Sequence, residues 1–123
     1  MSKPSLGAGD VEITILDNEY KLKPTLLAAK TLDKDFGGGM GAINRISQFD
    51  LGAVTKLIKV GLGLTDNGAS KFGDGLGLEE AVYKTGVMTL AAPCIRYVHV
   101  ILNGGKPPVD EEEGEAPLEE DSE

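Results

Sequence analysis

The sequence predicts a mainly α-helical fold with a small β-hairpin at its N-terminal end, in the α+β class. Near the start, apolar and polar residues alternate, which is typical of a half-buried strand. Further along, apolar residues recur every three or four positions, which is typical of helices with one buried face. We therefore expect a single helical domain with its hairpin at residues 10–104, after a flexible N-terminus at 1–9 and before a disordered acidic tail at 105–123.

The hairpin is predicted from two alternating runs, residues 11–16 and 20–23. Asp17 and Asn18 lie between them, and both side chains favour turns because they bond to nearby backbone. A two-stranded ribbon is only marginally stable by itself, so its apolar face must pack against the helices that follow. That face is formed by Val11, Ile13, Ile15 and either Tyr20 or Leu22.

Two helices are expected next. Pro24 ends the second strand, and Thr25 is placed to cap a helix at Leu26–Phe36, in which Ala28, Leu32 and Phe36 follow each other at i+4 steps. Three glycines at 37–39 end this helix, with Gly37 where a left-handed residue is usual. A second short helix is predicted because four apolar residues then recur at i+3 steps, namely Met40, Ile43, Ile46 and Phe49.

The second half of the domain is expected to hold three more helices. Asp50 is placed to cap Leu51–Leu62, in which one apolar face comprises Leu51, Val54, Leu57, Ile58 and Leu62. Residues 65–77 are rich in Gly, Asp, Asn and Ser and are predicted to form a mobile loop. A short helix at Leu78–Thr85 ends at Gly86. The last helix, Val87–Leu102, carries an apolar stripe of Val87, Leu90, Ala91, Cys94, Ile95, Val98 and Leu102, and Pro93 inside it predicts a kink or a break.

The net charge of −8 is concentrated at the C-terminal end. Nine of the 20 acidic residues but one of the 12 basic residues lie at 105–123, so the rest of the chain has eleven of each. A neutral body lacks the basic surface that binds phosphates, which excludes nucleic-acid binding by the body. Val109 and Leu118 are the sizeable aliphatic residues of the tail, too few to offset the entropy of ordering it.

Cys94 is the single cysteine, so no internal disulfide is expected. The chain does not open with a secretory leader pattern, and its apolar runs are too short for a spanning helix. These features predict a soluble cytoplasmic protein that does not bind a membrane.

Two glycine-rich segments were considered as ligand loops. The segment at 37–41 lacks the Gly-Lys-Ser/Thr ending of a phosphate loop and follows a helix rather than a strand, so an interhelical turn is expected. The segment at 73–77, with Asp66 and Asn67 before it, does not match the ligand spacing of a calcium loop. We expect a loop there and no metal site.

The remaining reactive side chains have structural explanations. Cys94 lies on the apolar stripe of the last helix, where a free cysteine packs as a small hydrophobe. His99 shares a helix face with Arg96 and Asn103 and is expected at the surface. Glu79 and Glu80 suit the dipole at a helix start. We therefore expect no catalytic, cofactor or metal site, and no enzymatic activity.

The order of these parts resembles a known family. The resemblance rests on the hairpin, Leu22-Lys23-Pro24-Thr25, a helix ending in an aromatic residue, Gly37-Gly38-Gly39, Gly61-Leu62, and Leu78-Glu79-Glu80 before a final helix. Over residues 11–102 the chain resembles the tail assembly chaperones of long-tailed bacteriophages, in the family related to the small tail protein of gene transfer agents. The segment at 65–77 and the acidic tail depart from a compact member of this family.

The resemblance implies a function without implying site residues. It implies a non-enzymatic viral factor in the bacterial host cell that binds the tape measure protein and helps recruit tail tube proteins. Such a factor leaves before the particle matures. A structural tail-tube subunit would be expected to show many alternating strands, whereas one hairpin is predicted here. Self-association is an open alternative for masking its apolar faces.

An alternative function follows from the acidic tail. Asp110, Glu111, Glu112 and Glu113 are candidate partner-binding residues that could imitate nucleic-acid phosphates, as in an acidic interaction or inhibitor protein. The simpler interpretation of the same run is a solubilising extension.

Overall fold

The computed structural model describes residues 9–73 and 75–107, and the fold begins with the predicted hairpin. Strands β1 (Val11–Ile15) and β2 (Asn18–Leu22) pair in antiparallel fashion, with Val11 opposite Leu22. Every second residue of β1 is buried, as the alternation predicted. The apolar face of the hairpin therefore points to the helices.

The hairpin turn lies one residue earlier than predicted. The chain turns at Leu16 and Asp17, which both have positive φ, 51° and 70°, rather than at Asp17 and Asn18. A two-residue hairpin connection favours such left-handed pairs because their twist matches the strands. Leu16 is an unusual residue for this conformation, and a tertiary contact holds it: its backbone N–H donates a hydrogen bond to Oγ1 of Thr85 (3.0 Å).

Six helices follow the hairpin in the described residues, which confirms the mainly helical fold. The six are α1 (Leu26–Phe36), α2 (Gly39–Ser47), α3 (Leu51–Leu62), α4 (Asp66–Ser70), α5 (Leu78–Thr85) and α6 (Val87–Leu102). All but α4 match the predicted segments closely.

The helix ends follow the capping residues that the sequence indicated. Thr25 accepts a hydrogen bond from the backbone N–H of Ala28 (3.1 Å), and Asp50 accepts one from that of Ala53 (3.0 Å). Gly37 ends α1 in the left-handed conformation with φ 74°. The glycine cluster is thus an interhelical turn, as predicted.

The second short helix is observed as α2, but the apolar residues that indicated it are not all buried. Met40 is 73% exposed and Phe49 is 46% exposed, whereas Ala42 and Ile46 are fully buried. An i+3 series drifts around a helix by about 60° a step, so it cannot stay on one narrow buried face, whereas an i+4 pair does. Phe49 also lies beyond the end of α2, with φ 59°.

The prediction of one continuous loop at 65–77 is wrong, because this segment contains α4. The side chain of Thr65 caps this helix by accepting a hydrogen bond from the N–H of Gly68 (3.0 Å). After α4, the ring of Phe72 packs on that of Tyr20, with centroids 5.2 Å apart. A local cap and a contact with the hairpin therefore stabilise this segment, and neither could be recognised from its composition.

Of the kink or break predicted at Pro93, the break is not observed, since α6 is one continuous helix. Buried residues lie on both sides of the proline, with Leu90 and Ala91 before it and Cys94 and Tyr97 after it. Packing of both halves against the same core favours a single helix despite the missing backbone donor.

Helix α3 packs against both the hairpin and α6, which also contact each other. At Gly61 the contact is closest: its carbonyl oxygen accepts a hydrogen bond from the N–H of Lys23 (2.9 Å), and a Cβ there would lie 2.8 Å from Cδ2 of Leu22. The hydroxyl of Tyr97 donates a hydrogen bond to the carbonyl of Lys23 (2.6 Å). This junction joins β2, α3 and α6.

The described chain ends beside the start of α1. The N–H of Gly105 donates to the carbonyl of Val100 (2.9 Å), and a Cβ at Gly105 would lie 3.3 Å from the carbonyl oxygen of Pro24. The side-chain amide of Asn103 then donates to the carbonyls of Lys106 (3.0 Å) and Pro107 (3.1 Å). The predicted disordered tail beyond Pro107, and residues 1–8 of the predicted flexible N-terminus, lie outside the described residues.

Candidate interaction surface

The face of α3 that points away from the core borders a groove of about 590 Å³. Its walls come mainly from α1 and α3, whose residues repeat at helical spacing. Helix α1 contributes Leu27, Thr31 and Asp35, and α3 contributes Gly52, Thr55, Lys56, Lys59 and Val60, continued by Gly63, Leu64 and Thr65. Because the same spacing positions one stripe on each helix, the groove runs along both helix axes.

The end of the groove near the start of α1 is apolar. Leu27 is 64% exposed there, although it is a large aliphatic residue. Val60 and Leu64 are half-buried and pack against the core with the rest of their surface. An exposed leucine is ordinary by itself, but three aliphatic side chains lining one concave surface form a patch that a second apolar segment could cover.

The charged residues of the groove form ion pairs that can rearrange. Lys56 of α3 pairs with Asp35 of α1 across the groove, with Nζ and Oδ2 3.5 Å apart. Lys59 pairs with Asp66 of α4, and this lysine holds the pKa of Asp66 below its usual range. Glu79, in the first turn of α5, also borders the groove. Since such exposed pairs contribute little to stability, their lysines can exchange partners at small cost.

A second, smaller apolar pair lies where α2 meets the end of α6. Leu102 is 57% exposed, whereas the sequence placed it on the buried stripe of α6. Its side chain lies over Gly39, where a Cβ would be 2.6 Å from Cδ1 of the leucine. The exposed Met40 follows directly in sequence. Because α6 ends at this point, Leu102, the last residue of its apolar stripe, lies outside the core.

Cys94 and His99 lie where the sequence predicted them. Cys94 is fully buried, and burial raises the pKa of its thiol to about 12, so it is protonated at neutral pH. His99 is exposed on α6, as are Arg96 and Asn103. The structure therefore does not bring the single cysteine and the single histidine together as a nucleophile and its base.

The other sequence candidates are also accounted for, as far as the structure describes them. Glu79 and Glu80 lie in the first turn of α5, as expected. Within residues 9–73 and 75–107, no group of three or more His, Cys, Asp or Glu side chains could hold a metal ion. The acidic candidates Asp110, Glu111, Glu112 and Glu113 lie outside the described residues.

Sequence reasoning did not find the groove. The signal was present in α3, where Gly52, Thr55, Lys59 and Gly63 follow each other at i+3 and i+4 steps on the side opposite the apolar face. Such a stripe of small and basic residues is normally taken as a solvated surface. It becomes a groove only because α1 packs beside it, which the sequence of α3 does not specify.

Among the described helices, none by itself has the length and apolar composition to cross a membrane; α5 and α6 meet these limits together, but they are bent by 109° at the break between them. Comparisons with protein-family models, with curated proteins and with solved structures give no match to this chain.

Proposed function

We propose that this protein is a non-enzymatic tail assembly chaperone of a long-tailed phage or gene transfer agent. In this role it binds the tape measure protein in the bacterial host cell and helps recruit tail tube subunits. The observation that carries the proposal is the groove between α1 and α3. These helices also carry sequence patterns of the family resemblance, since Leu22-Lys23-Pro24-Thr25 leads into α1 and Gly61-Leu62 ends α3.

The dimensions of the groove suit a short helical segment. The stripe on α3 extends from Gly52 to Gly63, which corresponds to roughly 16 Å, or three helical turns. An amphipathic helix of that length could lay its apolar side against Leu27, Val60 and Leu64. An interface limited to three helical turns would be small, and small interfaces are typical of transient complexes. Reversibility is what a factor that later leaves the assembly needs.

The test is co-expression with a tape measure protein from the same genome, followed by affinity capture. Leu27→Glu puts a charge into the apolar end of the groove, and Met88→Glu is a matched control because Met88 is similarly exposed, at 71% against 64%, and lies outside the groove. We expect the wild type and Met88→Glu to capture the partner and Leu27→Glu to lose at least tenfold in recovery.

Two results would contradict the proposal. One is the absence of a complex with the wild type, together with normal tail assembly when the protein is omitted. The other is an equal loss in both variants, which would remove the groove from the interaction. Circular dichroism of each variant checks that the fold is retained.

The segregation of charge favours a second candidate function, an acidic interaction or inhibitor protein that acts through Asp110, Glu111, Glu112 and Glu113. Binding through these carboxylates would fall steeply with salt, disappear on deletion of residues 109–123, and compete with DNA for the partner. Binding through the groove would tolerate salt and survive competition with DNA. Capture at 0.1 M and 0.5 M salt therefore separates the two functions.

A further inference from the structure

The outer sides of α2 and α6 together present an apolar surface, which we call the α2–α6 face. It consists of Met40 and Ile43 of α2 and Met88, Ile95 and Leu102 of α6. Met40, Met88 and Leu102 are 73%, 71% and 57% exposed. Ile43 and Ile95 are half-buried and pack against the core with the rest of their surface.

This face is continuous because α2 and α6 pack side by side in opposite directions. The side chain of Leu102, at the end of α6, lies over Gly39, at the start of α2. One turn further along α2, Ile43 lies on the same side of the helix as Gly39. It is therefore beside the part of α6 that precedes Leu102, where Ile95 lies two turns back. Met40 borders the same crevice from the solvent side.

The apolar residues of α6 have the spacing of a helix that pairs with another helix. Met88, Ile95 and Leu102 are seven residues apart, with Ala92 and His99 between them, so that steps of four and three residues alternate. This is the spacing of the contact stripe in coiled coils. The stripe extends seven residues to either side of Ile95, so its midpoint is an aliphatic residue.

That midpoint makes the stripe complementary to itself. If a second copy of α6 packs in antiparallel fashion with its Ile95 opposite Ile95, then Met88 of each copy meets Leu102 of the other. The small side chain of Ala92 then lies near His99 of the other copy. A two-fold dimer requires such a surface, because the same patch must serve both subunits.

The charges near the face also permit two copies to meet. Neither α2 nor α6 contains an aspartate or a glutamate, although the chain has a net charge of −8. Arg96 borders the opposite edge of α6, in a pocket next to Asp10 and Glu12 of the hairpin side. The α2–α6 face is therefore without the like charges that would oppose association.

The size of the face indicates how tightly two copies would bind. The stripe from Met88 to Leu102 is roughly 21 Å long, and two packed helices give a width of about 15–20 Å. Each copy would thus bury about 400–500 Å², or about 800–1,000 Å² for the pair, which is at the low end for specific interfaces. This area suits a reversible dimer rather than a permanent one.

From these observations we propose that two copies of this chain associate through the α2–α6 face, with their α6 helices antiparallel about a two-fold axis at Ile95. The dimer forms reversibly as concentration rises. The face shares no residue with the groove between α1 and α3, so the proposal does not depend on which partner the groove binds.

The first test is sedimentation equilibrium of the full chain. Between about 10 µM and about 1 mM, the average mass of the wild type should rise from the 12.9 kDa of one chain by a factor of about 1.5 or more. Met88→Glu and Met40→Glu should each stay at the mass of one chain, because the new carboxylate would be buried against Leu102 or beside it. Both methionines are largely exposed, so neither variant should lose the fold, which circular dichroism checks.

Leu27→Glu is the matched control, because Leu27 is similarly exposed at 64% but lies in the groove. This variant should dimerise like the wild type although it loses partner capture, whereas Met88→Glu should be monomeric and still capture the partner. The two proposals can therefore fail separately. A wild type that keeps the mass of one chain throughout, or a Met88→Glu variant that dimerises like the wild type, would overturn the dimer.

The second test examines the symmetry of the pair by disulfide cross-linking with oxidised glutathione. Ile95→Cys should cross-link to itself, because the two-fold axis places both copies of residue 95 together. Met88→Cys should not, since its two copies would be roughly 21 Å apart, but it should cross-link to Leu102→Cys when the two variants are mixed. The wild type is the control, because its Cys94 is fully buried. Self-linking of Met88→Cys as efficient as that of Ile95→Cys would contradict the antiparallel arrangement.

Discussion

The two faces of α3 differ in how firmly the rest of the molecule fixes them. The inner face is buried against the hairpin, α5 and α6, and it comprises Ala53, Val54, Leu57, Ile58 and Gly61. The outer face lines the groove with small and basic residues whose partners are exposed side chains. One helix therefore serves both the stability of the fold and the candidate interaction. Substitutions at neighbouring positions of α3 should separate the two.

The largest effect is expected from Leu57→Ala on the inner face. Leu57 is fully buried, and truncation of such a leucine costs about 2–5 kcal/mol of unfolding free energy through lost burial and the cavity that remains. Lys56→Ala, one residue earlier on the outer face, should change it by less than about 0.5 kcal/mol because its pair with Asp35 is exposed. Urea unfolding of both variants measures the difference. Similar losses would mean that the groove face is also structural.

Two glycines of α3 sharpen the same comparison. A Cβ at Gly61 would lie 2.8 Å from Cδ2 of Leu22 and 3.2 Å from Cζ of Tyr97, so Gly61→Ala should destabilise by about 1–3 kcal/mol. At Gly52 the nearest atom to an added Cβ is Oδ1 of Asp50, at 3.5 Å. Gly52→Ala should therefore be neutral or stabilise by up to about 1 kcal/mol, since alanine favours helix. Unfolding midpoints that shift in the same direction would refute this assignment of the two faces.

The inner face of α3 could be predicted from sequence, whereas the outer face could not. Val54, Leu57 and Ile58 were predicted to be buried because periodicity within one helix reports which side is apolar. The groove depends on the spacing between α1 and α3, and no local pattern encodes that distance. The acidic run at 110–113 was recognised from the sequence as a candidate, and it lies outside the described residues.

The same distinction explains the other differences. Tyr97 was not placed on the buried stripe of α6, yet it is fully buried because its hydroxyl finds the carbonyl of Lys23, 74 residues away in sequence. Helix α4 was missed because its composition favours loops. It is stabilised by a cap at Thr65, and Phe72, which follows it, packs beside Tyr20. Contacts between segments that are distant in sequence determine the burial of Tyr97 and the order around α4. Composition and periodicity therefore could not predict either.

The smallest predicted effect concerns the alkaline stability of the core beside α3. Burial raises the pKa of Cys94 from 9.0 to about 12, so the folded state keeps a proton that the unfolded state loses above pH 9. Stability should be unaffected by this group below pH 8 and should fall as pH rises from about 9 towards 12. By pH 10 the loss should be about 1–2 kcal/mol relative to neutral pH.

Cys94→Ala isolates this contribution. The variant should be less stable than the wild type at pH 7, because a buried side chain is shortened, but the gap should narrow by about 1–2 kcal/mol at pH 10. Urea unfolding at pH 7, 8, 9 and 10 with a reducing agent measures the gap. A gap that stays constant with pH would mean that the thiol ionises equally in both states, and hence that the core behind the inner face of α3 admits water. That result would contradict the distinction between a dry inner face of α3 and an outer face that is exposed to solvent.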